Sequence, residues 1–147
     1  MIQLKIIIRE PELNEEDSVT ISVKYMTEDI MRAINLLKSP RQLTVYIDNK
    51  AFSLAVSDIF YIESVDLKTF VYAERTVYQA KLKLYEVEDF LSKDEFMRIN
   101  RQTIINIKKI KSFAPAGNGR FQVTLINGED LIISRQNVAT LKEVFGI

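Results

Sequence analysis

The sequence predicts a mostly β, α+β fold of short strands with a few short helices, preceded by a small ββα appendage. Three observations predict it. After Pro40 the chain breaks into short runs of β-branched and aromatic residues, bounded by Asn, Asp and Gly. Two hairpin signals, Gly117-Asn118-Gly119 and Asn127-Gly128, separate alternating runs. Helical spacing of apolar residues is confined to three short segments.

Each element has its own reason. Residues 2–8, Ile-Gln-Leu-Lys-Ile-Ile-Ile, read as a strand, and the acidic run 10–17 as a solvated loop. Residues 18–25 alternate through Val19, Ile21, Val23 and Tyr25 and read as a second strand. Thr27 is placed to cap a helix with Glu28 and Asp29 in its first turn. Ile30, Met31, Ile34 and Leu37 give that helix its apolar stripe, and Ser39-Pro40 ends it. Residues 43–47 and 52–56 form a hairpin across Asp48-Asn49-Lys50. Ser57-Asp58-Ile59 leads into a strand at 60–63. Strands at 69–73 and 76–80 flank a turn at Glu74-Arg75. Residues 84–91 are a short helix with Leu84, Val87, Phe90 and Leu91 inward. Strands follow at 97–100, 110–116, 120–125 and 130–133. Ser134 caps a last helix with Val138, Leu141, Val144 and Phe145 inward. The expected division is 1–40, a small appendage with a dimerising or regulatory role, and 41–147, the main domain.

Composition narrows the function. The chain is 47% hydrophobic and 27% charged, ordinary for a globular protein. It has no cysteine, which excludes disulfides, thiolate catalysis and Cys-based metal sites. It has no histidine, which removes the commonest general base and metal ligand. An enzyme would have to rely on carboxylates or tyrosine, with Asp58, Tyr61 and Glu63 the nearest candidates. No nucleophile–base pair, glycine-rich phosphate loop or metal cluster accompanies them, so neither enzymatic activity, a cofactor nor a small-molecule substrate is expected. No run has the roughly 20 apolar residues of a membrane helix. The N-terminus has only a short apolar core, flanked by Lys5, Arg9 and Glu10, and lacks the long apolar stretch and small-residue cleavage site of a signal peptide, so a cytoplasmic location is expected.

Net charge is zero, but its distribution is uneven. Residues 1–40 carry five basic and seven acidic side chains, and residues 41–91 six and eight. Residues 92–147 carry nine and five, a net +4. Within this basic part lies Phe96-Met97-Arg98-Ile99-Asn100-Arg101-Gln102-Thr103-Ile104-Ile105-Asn106, followed by Lys108, Lys109 and Lys111. Cationic and amide side chains interleaved with β-branched ones fit a strand-and-loop element that buries one side. Arg pairs with guanine O6/N7, and Asn or Gln with adenine N6/N7, in the major groove. Lysines add salt-dependent phosphate attraction. Arg98, flanked by Met97 and Ile99, reads equally well as a structural ion-pair partner. Asn106 reads as a turn residue that satisfies backbone.

From about Leu43 to Ile147 the chain resembles the LytTR (LytR/AlgR-type) DNA-binding domain family. Val56-Ser57-Asp58-Ile59-Phe60-Tyr61-Ile62-Glu63-Ser64 is similar to the family's v-x-D-I-x-y-i-E-s element. Residues 96–106 are similar to F-x-R-i-h-r-s-x-i-v-N, and Ile107-Lys108-Lys109-Ile110 follows. Residues 125–135, Leu-Ile-Asn-Gly-Glu-Asp-Leu-Ile-Ile-Ser-Arg, are similar to L-x-n-G-x-x-l-x-v-S-R. Order and spacing match together over this whole stretch.

The resemblance implies an elongated fold of stacked β-sheets whose loops enter successive major grooves of double-stranded DNA. The site is a promoter direct repeat, and two protomers, a homodimer, bind on one DNA face. The resemblance implies contacts from three loop regions. The first is at Lys68 and Thr69. The second is at Asn100, Arg101 and Gln102, with Arg101 at a base-contacting position and Asn100 where the family often has histidine. The third is at Ser134, Arg135, Gln136 and Asn137, where the register leaves both Arg135 and Gln136 as candidates. Many family members carry a receiver domain, which needs roughly a hundred or more residues. Forty residues are too few, so phosphorylation in cis is not expected and a response-regulator-like, stand-alone bacterial regulator is. Some stand-alone members are held in check by a membrane protein, which leaves such a partner open.

A protein-interaction module acting through the appendage, without direct DNA readout, is the alternative reading. RNA binding fits less well, because the aromatics sit at core spacing rather than on an exposed stacking platform.

Overall fold

The computed structural model describes residues 5–38 and 41–147. The chain divides into two compact units, Met1–Lys38 and Ser39–Ile147.

In the first unit the helix forms, and the described residues of the two expected strands form no strand. Helix α1 spans Glu28–Lys38 with Glu28 and Asp29 in its first turn. Thr27 caps it, since the Ile30 N–H donates to Thr27 Oγ1 at 3.3 Å. Ile30 is buried, while Met31 and Leu37 are exposed. Residues 5–25 carry no strand, and residues 2–4 of the first expected strand lie outside the described residues, as does the Ser39-Pro40 stop. The alternation is present in the sequence, but a strand exists only where a neighbour completes its hydrogen-bond ladder. Without one, the apolar side chains stay in solvent, Ile8 at 91% and Val19 at 71% exposure. A local ion pair, Arg9 to Glu15 at 2.8 Å, organises the acidic loop instead.

The second unit is built on a seven-stranded antiparallel sheet. Its strands are β1 (Gln42–Ile47), β2 (Lys50–Ala55), β3 (Tyr61–Val65), β4 (Lys68–Tyr72), β5 (Val77–Ala80), β6 (Phe96–Asn100) and β7 (Thr103–Asn106). Their order across the sheet is β2-β1-β5-β4-β3-β7-β6. Helix α2 (Leu84–Phe90) links β5 to β6. A three-stranded sheet, β10-β9-β8, follows from β8 (Ile110–Gly117), β9 (Arg120–Leu125) and β10 (Asp130–Ile133). Helix α3 (Arg135–Phe145) ends the chain and stops at Gly146, whose φ of 69° is the left-handed helix end that glycine favours.

Two apolar clusters hold this unit together. The first joins Leu43, Val45, Ile62 and Val71 of the large sheet to Leu84, Val87 and Leu91 of the α2 segment. Phe90, expected inward, is more than a third exposed, with the Arg41 guanidinium 4.5 Å over its ring. The second joins Tyr61, Met97, Ile99 and Ile105 to Val123, Leu125 and Ile133 of the small sheet and to Val138 and Leu141 of α3. Burying a Leu, Ile or Val side chain is worth about 1.5–3 kcal/mol, and this second cluster fixes the small sheet and α3 against the large one. Val144 and Phe145, also expected inward, are both more than a third exposed, the Phe145 ring 4.9 Å from that of Phe113.

Strand β7 was not legible as a strand of its own. All four of its residues are buried, because it is flanked by β3 and β6 and covered on both faces. A strand buried on both faces shows no alternation to read.

Candidate nucleic-acid interface

The strand register carries the argument about the site. In the β3–β4 hairpin Val65 pairs with Lys68, so Asp66-Leu67 form the tip, both at positive φ. This is the two-residue turn that matches strand twist. In the β6–β7 hairpin Asn100 pairs with Thr103, so Arg101-Gln102 form the tip. Strand β3 pairs antiparallel with β7, Glu63 opposite Thr103, which puts both tips at the same end of the sheet. The Ser64 N–H donates to the Gln102 carbonyl oxygen at 2.8 Å and ties the first tip to the second. The Ser134 N–H donates to the Ile99 carbonyl oxygen at 2.8 Å and ties the start of α3 to the same tip. The three expected loop regions are therefore neighbours, with the Arg101 turn between the other two.

The turn that presents Arg101 is locked from within. Asn100 Oδ1 accepts the Gln102 N–H at 2.8 Å, the side chain closing its own turn two residues on. Arg98 Nη1 donates to the Arg101 carbonyl oxygen. Arg98 is itself held by Glu88, Nε to Oε2 at 2.7 Å, so it is a structural ion-pair partner. Arg101 and Gln102 are exposed, and Arg101 has no ion-pair partner among the described residues.

The other expected contacts separate by burial and place. Lys68 is exposed beside the Leu67 tip. Thr69 is 3% exposed and paired with Ala80 and Ser64, so its hydroxyl faces the interior rather than a groove. Alternation decides this, since neighbouring strand residues point to opposite faces. Ser134 precedes α3, but its side chain caps no backbone N–H. Its Oγ accepts from Asn137 Nδ2 at 2.7 Å, which occupies both side chains. Arg135 and Gln136 are exposed in the first turn of α3.

The three lysines are not part of this end. Lys108 and Lys109 follow Asn106, at the opposite end of β7 from Thr103 and the Arg101 turn. Four strand residues put roughly 13 Å between those ends. Lys108 pairs with Glu95 at 3.3 Å, Lys109 lies over the Phe60 ring at 5.0 Å, and Lys111 is exposed near the start of β8. Proximity in sequence to Arg101 gave no proximity in space, because a strand intervenes.

Residues that the sequence did not single out stand at the loop end instead. Strand β5 ends at Ala80 opposite Thr69, so Lys81 follows beside Lys68, its Nζ 4.3 Å from the Tyr46 ring centroid. Arg120 is exposed at the β8–β9 turn, which the pairing of Phe121 with Ile133 brings next to Ser134. Only strand pairing could have found them. Asn106 is buried, donating from Nδ2 to the Ile59 carbonyl oxygen at 2.7 Å and accepting the Lys108 N–H at 3.0 Å. It satisfies backbone, as its setting in the sequence implied.

Tyr61 and Tyr72 stack with ring centroids 4.1 Å apart. Burial pushes the Tyr61 phenol well above the usual tyrosine range, and the nearby Glu129 carboxylate pushes it further. Burial and then Glu63 push Tyr72 in the same direction. Both phenols stay neutral at physiological pH. Among the described residues no group of three or more acidic side chains is placed to hold a metal ion, and no helix is long and apolar enough to cross a membrane.

Fold and loop chemistry together define a sheet-built DNA-binding module. Residues 49–146 match the family model of the LytTr DNA-binding domain, and the chain belongs to that family. The LytTr DNA-binding domain of a methyl-accepting/DNA response regulator from Bacillus cereus superposes with a TM-score of 0.68 at 29% identity, covering 72% of this chain and 97% of that one. Sensory transduction protein LytT of Enterococcus faecalis is 25% identical over 90% of this chain, which spans 57% of that protein's length. A Staphylococcus aureus protein named as an HTH-type transcriptional regulator is 26% identical over the full length of both chains. In this chain strands separate the three described α-helices, so no two of them are consecutive elements, and the candidate loops are hairpin turns and one helix start. Residues 49–146 are thus a DNA-binding domain.

Proposed function

We propose that the chain reads sequence by setting three loop regions into successive major grooves of a promoter direct repeat, as a homodimer on one DNA face. The observation that carries this reading is the convergence of Lys68, Arg101 and the Arg135-Gln136 pair at one end of the second unit. Arg101 is the central base contact, its exposed guanidinium suited to forked pairing with guanine. Asn100 is partly committed to the turn, so Gln102 is the amide better free to meet a base or phosphate. Lys68, with Lys81 beside it, supplies phosphate attraction, and Arg135 or Gln136 supplies the third contact. Thr69 is excluded by burial, and Ser134 and Asn137 serve to shape the helix start. The chain works where the DNA is, in the cytoplasm. The 1–40 appendage serves dimerisation or regulation, with a membrane-protein regulator as one candidate partner.

A mobility-shift titration on the promoter region of its own gene tests the reading. Wild type should bind with a steep salt dependence, and Arg101→Ala should weaken binding by about 1–3 kcal/mol with relaxed sequence preference. Absence of salt-dependent binding to any promoter fragment would overturn it. Repeating the titration with residues 41–147 alone separates DNA readout from a purely protein-binding role of the appendage.

A further inference from the structure

We propose that Gly119 in the β8–β9 turn is a positioning residue for Arg135, so that this turn helps set which bases the third loop reads. The inference rests on the reading of Arg135 as a DNA contact.

Gly119 has φ of 75° and lies against the Arg135 side chain. A Cβ built there would stand 2.9 Å from Arg135 Cδ, which must then shift, and 3.0 Å from Cγ, which must give by a few tenths of an ångström, so the flexible Arg135 side chain has to leave its present path. The missing side chain leaves the bed on which the Arg135 stem rests. Gly117, at the other side of the same turn with φ of 86°, has nothing within 4 Å of its Cβ position. The two glycines share the need for a left-handed backbone, and only one shares a contact with Arg135.

The turn is held in place relative to α3. Phe121 pairs with Ile133 in the sheet, one residue before Ser134. Phe113 packs on Phe121 at 6.3 Å and on Phe145 of α3 at 4.9 Å. Lys142 of α3 lies 5.6 Å over the Phe121 ring. A long flexible side chain loses rotamer freedom when its stem is laid on such a surface, and less entropy is then lost on binding. Arg135 thus meets DNA with its guanidinium already directed past the turn, and Arg120 beside it adds a second cation.

The test compares Gly119→Ala with Gly117→Ala in the full chain. Both place alanine in the left-handed region, and only the first displaces Arg135. Gly119→Asn is a second variant that adds a Cβ but accepts the left-handed region, as Asn118 does in the same turn with φ of 55°. Circular dichroism melts check that each folds. Gly119→Ala and Gly119→Asn should lower affinity for the preferred site roughly tenfold, the scale of one lost base contact. Gly117→Ala should bind like wild type. In an Arg135→Ala background the Gly119 substitutions should have no further effect. Nuclear magnetic resonance of the free protein should show the Arg135 Nε–Hε signal moving with Gly119→Ala but not with Gly117→Ala. Equal effects of the two alanines, or a Gly119→Ala loss that persists undiminished without Arg135, would overturn the proposal. If Arg135→Ala alone binds like wild type, the reading of Arg135 as a contact fails, and the Nε–Hε signal still reports whether Gly119 positions the side chain.

Discussion

The Ser134 N–H donates to the Ile99 carbonyl oxygen at 2.8 Å, joining the last helix to the strand that ends at the Arg101 turn. These residues are distant in sequence, yet their bond makes the second and third loop regions one surface. Displacing either element should alter the other, which gives the predictions below their form.

Asn100 both shapes its turn and stands beside the proposed base contact. Asn100→Ala removes the acceptor for the Gln102 N–H and should cost about 0.5–1.5 kcal/mol of stability. Asn100→Asp keeps that acceptor but places a negative charge beside phosphates. It should melt close to wild type while binding DNA at least several-fold more weakly. Thermal melts and DNA titrations on the same samples check the separation, and equal loss of stability in both variants would count against the turn-closing role.

Asn106 should be a stability residue with no direct part in binding. It is 3% exposed and bonds Ile59 and Lys108. Asn106→Ala leaves a buried carbonyl and an amide without partners, costing about 2–4 kcal/mol. Asn106→Asp should fare no better, because a carboxylate would face the Ile59 carbonyl oxygen. Denaturant titration checks this through the midpoint.

Salt dependence should distinguish the cations by place. Lys68→Ala should lower the slope of log affinity against log salt by about 1. Lys111→Ala, at the far end of β7 and β8, should leave it unchanged. Anisotropy titrations across a salt series measure both, and a matching drop for Lys111 would move the DNA path along the sheet.

The pH profile should be flat near neutrality and fall at high pH. The chain has no histidine, so no side chain of ordinary pKa titrates between about 5 and 8. Tyr61 and Tyr72 have folded pKa values raised above the unfolded value of about 10, chiefly by burial and then by Glu129 and Glu63 respectively. A raised folded value stabilises fully below the unfolded pKa, and that contribution is lost as pH rises through the folded values. Melting temperature should hold from about pH 6 to 9 and decline above about 10. Tyr61→Phe should make that decline shallower, and a steep change near neutrality would contradict the assignment.

Much of this was legible in the sequence because the signals are local. Turn chemistry announced the hairpins at Asp48-Asn49 and Asn127-Gly128, and Gly128 takes the φ of 92° that only glycine adopts easily. Alternation exposed β9, and apolar spacing found Leu84 and Val87 of α2 and Val138 and Leu141 of α3, though not that Phe90, Val144 and Phe145 would be exposed. The family motifs fixed the order of the three loop regions. Strand β7 escaped because burial on both faces erases alternation. The strands expected at 2–8 and 18–25 had the pattern, but residues 5–25 had no partner strand.

The sequence by itself determined the family, the mostly β class and the arginine flanked by two amide side chains, since each depends on residues near one another in the chain. Tertiary structure alone decided which cations stand together. It buried Thr69, moved Lys108, Lys109 and Lys111 to the far end, and brought Lys81, Gly119 and Arg120 to the site. The physical reason is strand pairing. Register and sheet order, set by long-range hydrogen bonds and a shared core, determine which strand end each loop leaves from, and no local pattern encodes that.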